Sequence, residues 1–90
     1  FKAFIIKNGV DEKLADKIIS KMQWLNEQIE RDTNLGRGYR IGHSFFCSYA
    51  SQLNNDWYEK VIKYEIEPLL EEYWFDDNAG VKDKVKNLLE

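Results

Sequence analysis

Asp11-Glu-Lys-Leu-Ala-Asp-Lys-Ile-Ile-Ser-Lys-Met-Gln-Trp-Leu-Asn-Glu-Gln-Ile-Glu-Arg31 decides the fold class. Leu14, Ile18, Met22, Leu25 and Ile29 recur at three- and four-residue steps, the period of one face of an α-helix. Ala15 and Ile19 widen the apolar stripe, while Lys13, Asp16, Lys17, Glu27 and Glu30 fall off it. No glycine or proline interrupts the run, and Asp11 has the short acceptor side chain of an N-cap. The pattern predicts one helix from Asp11 to about Arg31. Trp24 lies outside the main stripe and is expected to touch a second neighbour.

The same period returns downstream. Asp56 is expected to cap a second helix with Trp57, Tyr58, Val61, Ile62, Ile66, Leu69, Leu70 and Tyr73 in register. Pro68 interrupts it chemically: it has no N–H to bond the Tyr64 carbonyl, and its ring crowds that oxygen. The stripe nevertheless passes through, which predicts a kinked continuous helix or two helices meeting at Glu67. Trp74 and Phe75 close it, 76–80 reads as a turn, and Val81, Val85, Leu88 and Leu89 make a last short helix. Upstream, Phe1, Phe4 and Ile5 share a helical face that Asn8-Gly9 stops, with an edge strand as the alternative. Between the long helices, 34–38 is a turn and Tyr39–Ile41 is briefly extended. Gly42-His43-Ser44 opens a short helix through Phe45, Phe46 and Tyr49, and 48–55 is a polar loop. The sum is an all-α fold, a single domain over 1–90. It is a small bundle of four to five helices with one glycine-rich loop and no strand.

Composition bounds the function. With 43% apolar and 32% charged residues the chain is a folded domain rather than a disordered tail. The net charge of −3 gives no general drive toward nucleic acid. It is unevenly spread: residues 1–43 hold eight Lys/Arg against six Asp/Glu, and residues 44–90 hold five against ten. The single cysteine, Cys47, excludes an intramolecular disulfide and any cysteine zinc site, and favours a cytoplasmic setting. No run approaches the roughly 18–20 apolar residues of a membrane span, and no signal peptide is visible. The chain begins at Phe1 and its only methionine is Met22, so it is expected to be a piece of a longer protein.

Chemistry concentrates in Leu35-Gly-Arg-Gly-Tyr-Arg-Ile-Gly-His-Ser-Phe-Phe46. Three glycines sit there among two arginines, the only histidine and three aromatics. The segment is not a G-x-x-x-x-G-K-[ST] phosphate loop, because the lysine and hydroxyl are missing at the required spacing. No H-E-x-x-H occurs, and one histidine without cysteines builds no zinc site. Cys47 and His43 stand one helical turn apart, but a nucleophile pair needs a third group to orient the imidazole. Glu71-Glu72 and Asp76-Asp77 read as an acidic solvated helix end rather than a magnesium site. The cluster Tyr73-Trp74-Phe75 lies among those carboxylates, which repel a phosphate backbone, so it reads as core or protein-interface packing. Arg37, Arg40 and His43 remain as candidates to lie near a nucleotide bound elsewhere, since guanidinium forks onto phosphate and stabilises charge in transfer. The alternative is that Arg40 pairs with a core carboxylate and His43 caps a helix. Spacing leaves both readings open.

A family carries these residues. Leu25-Asn26, Ile29, Asp32 and the 35–46 segment, followed by Trp57-Tyr, Ile62 and Tyr64-Glu-Ile-Glu-Pro-Leu-Leu-Glu-Glu-Tyr-Trp-Phe-Asp76, resemble the C-terminal helical (lid) subdomain of McrB-type AAA+ GTPases. These are the motors of modification-dependent, 5-methylcytosine-specific restriction systems. The likeness runs from about Phe4 to Asp76, and its most specific strings are 41–46 and 65–75. It implies a lid that follows a nucleotide-binding subdomain holding the phosphate loop and the magnesium-binding acid. GTP and magnesium are then implied for the whole protein, with no cofactor bound by this piece alone and no catalytic residue in it. AAA+ lids often supply a "sensor 2" arginine, for which Arg40 and His43 are nearest, although the usual Gly-Ala-Arg form is absent. Ring neighbours of the same chain, an endonuclease subunit, and DNA held through other domains are the implied partners. The interface candidates are Tyr73, Trp74 and Phe75.

Two readings outside that resemblance stay open from the residues. One is a helical protein-interaction module with no nucleotide role, in which the 35–46 loop is structural. The other, direct DNA binding, is opposed by the few basic residues and the acidic surroundings of the aromatic cluster.

Overall fold

The computed structural model describes Ile6, residues 9–42, Phe46 and residues 54–90. Among these residues there are three helices and no strand. Helix α1 spans Glu12–Arg31. Helix α2 runs without a break through an α segment Asn55–Val61, a π segment Ile62–Ile66 and a second α segment Glu67–Tyr73. Helix α3 spans Asn78–Leu89. The all-α class stands, and the described residues hold three of the expected four to five helices. The short helices expected over 1–8 and 43–49 fall almost wholly outside the described residues.

Helix α1 begins and ends where its sequence predicts. The Asp11 carboxylate accepts the Lys13 N–H at 3.1 Å, satisfying one of the four free donors of the first turn. Glu12 in the first turn and Arg31 in the last both complement the helix dipole. Just upstream, Gly9 sits at φ 102° and donates its N–H to the Ile6 carbonyl at 3.0 Å, a left-handed stop that favours glycine.

Three boundaries differ from expectation. Asn54, not Asp56, caps α2: its side-chain oxygen accepts the Trp57 N–H at 3.1 Å. Asp56 instead lies in the first turn, where its charge faces free N–H groups. Helix α3 starts at Asn78 rather than Val81, because the Asp77 carboxylate accepts the Gly80 N–H at 3.0 Å and folds the expected turn residues into the first helical turn. The turn expected over 34–38 ends in one 3₁₀ turn, Arg37–Tyr39, which takes in Tyr39 from the stretch expected to be extended and is closed by Tyr39 N–H to Gly36 O at 3.2 Å.

Pro68 explains the π segment. The Glu67 N–H reaches back five residues to the Ile62 carbonyl, so the turn ahead of the proline is widened. Pro68 then falls in the first turn of the following α segment, where a missing N–H costs little. Tyr58, Ile62, Ile66 and Leu70 are all fully buried at strict four-residue steps. In a regular α-helix each such step drifts by about 40° around the axis. The widened turn absorbs part of that drift and keeps the four on the core.

One core joins the three helices. Leu14, Ala15, Ile18, Met22, Leu25 and Ile29 of α1 meet Trp57, Tyr58, Val61, Ile62, Ile66 and Leu70 of α2 and Val81, Val85 and Leu88 of α3. Val10, Ile41 and Phe46 close its ends. The Tyr58 hydroxyl donates to the Leu88 carbonyl at 2.7 Å, satisfying an acceptor left over at the end of α3. Burial pushes the Tyr58 phenol well above its ordinary value. Phe46 meets the Trp57 ring edge-on at 5.9 Å and stacks on Tyr58 at 6.0 Å. Trp24 finds its second neighbour: it packs on the core from off the stripe and shares a shallow groove with Gly80, Asp83 and Lys84 of α3.

Candidate functional site

The glycine-rich loop 35–42 is fixed to the helices at both ends. At its start, Asp32 leaves the helix in an extended conformation, and its carbonyl accepts Leu35 N–H at 3.1 Å and Gly36 N–H at 3.2 Å. Gly36 sits at φ 75°, the left-handed region where a Cβ costs about 1–2 kcal/mol. One Asp32 carboxylate oxygen accepts Asn34 N–H at 2.9 Å, and the other accepts the Trp74 indole N–H at 2.6 Å. These two donors, the Trp74 bond first, hold the Asp32 carboxyl below its ordinary value, with Lys84 adding to the effect against a small opposing desolvation.

At its far end the loop is held by Asn26. The Asn26 amide donates to the Ile41 carbonyl at 3.0 Å and accepts the Ile41 N–H at 2.7 Å. One side chain thus replaces a strand partner for Ile41, whose own side chain is buried in the core. Between these anchors the Tyr39 ring meets the Tyr73 ring edge-on at 5.2 Å. Tyr73 in turn meets Trp74 at 6.3 Å, and the Lys84 ammonium lies over the Trp74 ring at 4.5 Å. Desolvation, with the nearby Tyr39 and Glu72, raises the Tyr73 phenol. The three helices therefore converge on the loop through Asn26 and Asp32 of α1 and its end, Tyr73 and Trp74 at the end of α2, and Lys84 of α3.

Arg40 stands just before the Asn26 clamp. Its Nε lies 3.3 Å from a Glu30 carboxylate oxygen, with the two side chains 51% and 37% exposed. A pair this open contributes about 0–1 kcal/mol and is easily exchanged for a stronger anion. The partner is a surface carboxylate rather than a core one. Arg40 forms the rim of a groove of about 610 Å³ whose walls include Met22, Asn26, Glu27 and Glu30. Those carboxylates make the groove itself hostile to phosphate, so an anion would meet Arg40 from outside it. The backbone of Arg37 lies in the 3₁₀ turn. His43 and Cys47 lie outside the described residues.

The tyrosine–tryptophan–phenylalanine run divides. Tyr73 and Trp74 are half-buried against the loop, and Phe75 stands 78% exposed. Of the paired carboxylates, Asp77 caps α3, and Glu71, Glu72 and Asp76 are exposed. Among the described residues no group of three or more His, Cys, Asp or Glu side chains is placed to hold a metal ion. No helix among them is long and apolar enough to cross a membrane. Sequence reading missed both anchors. Asn26 sits beside Leu25 on the edge of the apolar stripe and looks solvated. The one available signal was an asparagine, a poor helix former, in mid-helix.

Residues 17–82 match the profile of the family described as "McrB, alpha-helical lid domain". Over 81 residues the chain is 36% identical to the Type IV methyl-directed restriction enzyme EcoKMcrB subunit of Escherichia coli strain K12, a match covering 86% of this chain. The chain spans 18% of that relative's length. The matched span takes in α2, most of α1 and the start of α3, together with both anchors of the loop, Asn26 and Asp32, and Arg40 between them. The chain belongs to the McrB alpha-helical lid domain family.

Proposed function

We propose that this chain is the lid of a GTP-hydrolysing AAA+ motor in modification-dependent DNA restriction, closing over nucleotide held by an adjoining subdomain. The observation that carries the reading is the double anchoring of the 35–42 loop, by Asp32 at one end and Asn26 at the other. Anchoring makes Arg40 a surface cation on a rigid frame, and its exposed pair with Glu30 yields to a phosphate at little cost. A guanidinium so placed offers a fork to charge developing on a transferred phosphoryl group. Arg37 and His43 flank it as further candidates. The lid catalyses nothing alone. It contributes to hydrolysis by position, contacts the neighbouring ring subunit, and acts in a cytoplasmic complex with an endonuclease subunit. Magnesium and GTP are held by the rest of the protein.

The test is turnover by the full-length protein with GTP and with ATP, wild type beside Arg40→Ala. GTP-selective hydrolysis slowed by about tenfold or more, at an unchanged unfolding temperature, supports the reading. Unchanged turnover with a lost protein contact supports an interaction module instead.

A further inference from the structure

Arg40 lies between two residues that are held from different helices. Ile41, just after it, exchanges two hydrogen bonds with Asn26 of α1, at 3.0 and 2.7 Å. Tyr39, just before it, meets the Tyr73 ring of α2 edge-on at 5.2 Å. Trp74, the next residue, donates its indole N–H to the Asp32 carboxylate at 2.6 Å and so pins the end of α2 to the end of α1. The Lys84 ammonium of α3 bears on the same pin, over the Trp74 ring at 4.5 Å. Tyr73 reaches from that pin across the turn to Tyr39. Asn26 fixes Ile41 from α1 alone, so a change in the place of Tyr73 is taken up between the two grips. The residue there is Arg40, with two soft backbone torsions of its own.

The two tyrosines stand differently in the fold. Tyr73 packs against the core, whereas Tyr39 is 44% exposed and lies outside it. Burial therefore does not account for the ring at 39; its contact with Tyr73 does. The planes of the two rings cross at 88°, the edge-to-face geometry that aromatic pairs favour, so the contact fixes direction as well as distance. We propose that Tyr73 is a positioning residue for Arg40, acting through Tyr39: the end of α2 sets where the guanidinium is presented. The placement of α2 and α3 against α1 is thereby coupled to nucleotide turnover. This rests on the reading of Arg40 as the cation that meets phosphate, and it adds what aims it.

The test is steady-state GTP turnover by the full-length protein. The variants are Tyr73→Leu, Tyr73→Phe, Tyr39→Ala and Arg40→Ala, with Tyr73→Leu and Tyr39→Ala also made in the Arg40→Ala background. Tyr73→Leu and Tyr39→Ala are each expected to lower kcat by about tenfold, with KM within about twofold of wild type. Tyr73→Phe keeps the ring and should retain wild-type kcat. Neither loss should recur once Arg40 is alanine, which separates positioning from a general loss of structure. Tyr39→Ala keeps the test valid if Tyr73→Leu fails to fold, because Tyr39 is no part of the core. Slow Arg40→Ala beside unchanged Tyr39→Ala or Tyr73→Leu overturns the proposal and leaves the reading of Arg40 standing. An equal loss in the Arg40→Ala background also overturns it, since the tyrosines then act without Arg40. Wild-type turnover by Arg40→Ala overturns the reading of Arg40 and the proposal together.

Discussion

Replacing Asn26 by alanine removes both hydrogen bonds to Ile41 in one step. The two bonds measure 3.0 and 2.7 Å, and the Ile41 side chain beside them is 3% exposed, so water is a poor substitute. At about 1 kcal/mol per bond, with an added penalty for an Ile41 N–H and C=O left without partners, the loss is about 2–3 kcal/mol. For a domain of this size that lowers the unfolding temperature by roughly 10 °C or more. Two readouts belong together. Chemical denaturation gives the free energy, and hydrogen exchange at the Ile41 amide shows whether the loop has come free. Asn26→Asp sharpens the test, because it keeps the acceptor for the Ile41 N–H but turns a carboxylate oxygen toward the Ile41 carbonyl. It should therefore be no more stable than the alanine variant at neutral pH. On the proposed function, either change in the full-length protein should slow nucleotide hydrolysis to the extent expected of Arg40→Ala, since Arg40 precedes the clamped residue. An Ile41 amide equally protected in Asn26→Ala, or a loss under about 0.5 kcal/mol, would refute the clamp.

Three further outcomes follow from the same structure. Tyr58→Phe leaves the Leu88 carbonyl without its 2.7 Å donor and should cost about 1–2 kcal/mol. Because the folded phenol titrates above its unfolded value, wild-type stability is full below about pH 10 and falls as pH rises beyond it; denaturation across alkaline pH should show that fall shrinking in the variant. Gly36→Ala should lose about 1–2 kcal/mol from its φ of 75°, whereas Gly38→Ala, with ordinary φ and open space around its Cβ, should leave folding unchanged; slowed hydrolysis in the latter would mark close approach of ligand to the loop. Asp32 titrates below its ordinary value when folded, so it stabilises above the unfolded value and that contribution is lost as pH falls through the folded one; Trp74→Phe should return the carboxyl toward its ordinary value, read by NMR titration.

What the sequence makes legible here is whatever a single helix decides for itself. The cap at Asp11, the stripe from Leu14 to Ile29 and the left-handed Gly9 are set within a few residues, and each appears where its pattern predicts. Choices between equals are less legible: Asn54 and Asp56 are both good caps, and only packing of Trp57 and Tyr58 selects the earlier one. The site is least legible because its contacts are long-range. Asn26 meets Ile41 fifteen residues on, and Asp32 meets Trp74 forty-two residues on. Neither pair has a local signature, since asparagine and aspartate at a helix edge or end look solvated. The π segment left a trace, the fully buried 58–62–66–70 spacing, which a regular helix would carry off the core.

That spacing makes α2 a torsional element. A π turn inserts one residue of angular phase, about 100° of rotation, between the helix's two halves. Upstream, the phase aims Trp57 and Tyr58 at the core; downstream, it aims Tyr73 at the Tyr39 ring and Trp74 at Asp32. If the widened turn relaxed to α geometry, the downstream half would rotate while the upstream half stayed packed. Tyr73 and Trp74 would swing off the loop together. The seating of the loop that carries Arg40 therefore depends in part on the winding of α2, and deleting one residue within 62–66 would turn that winding like a screw.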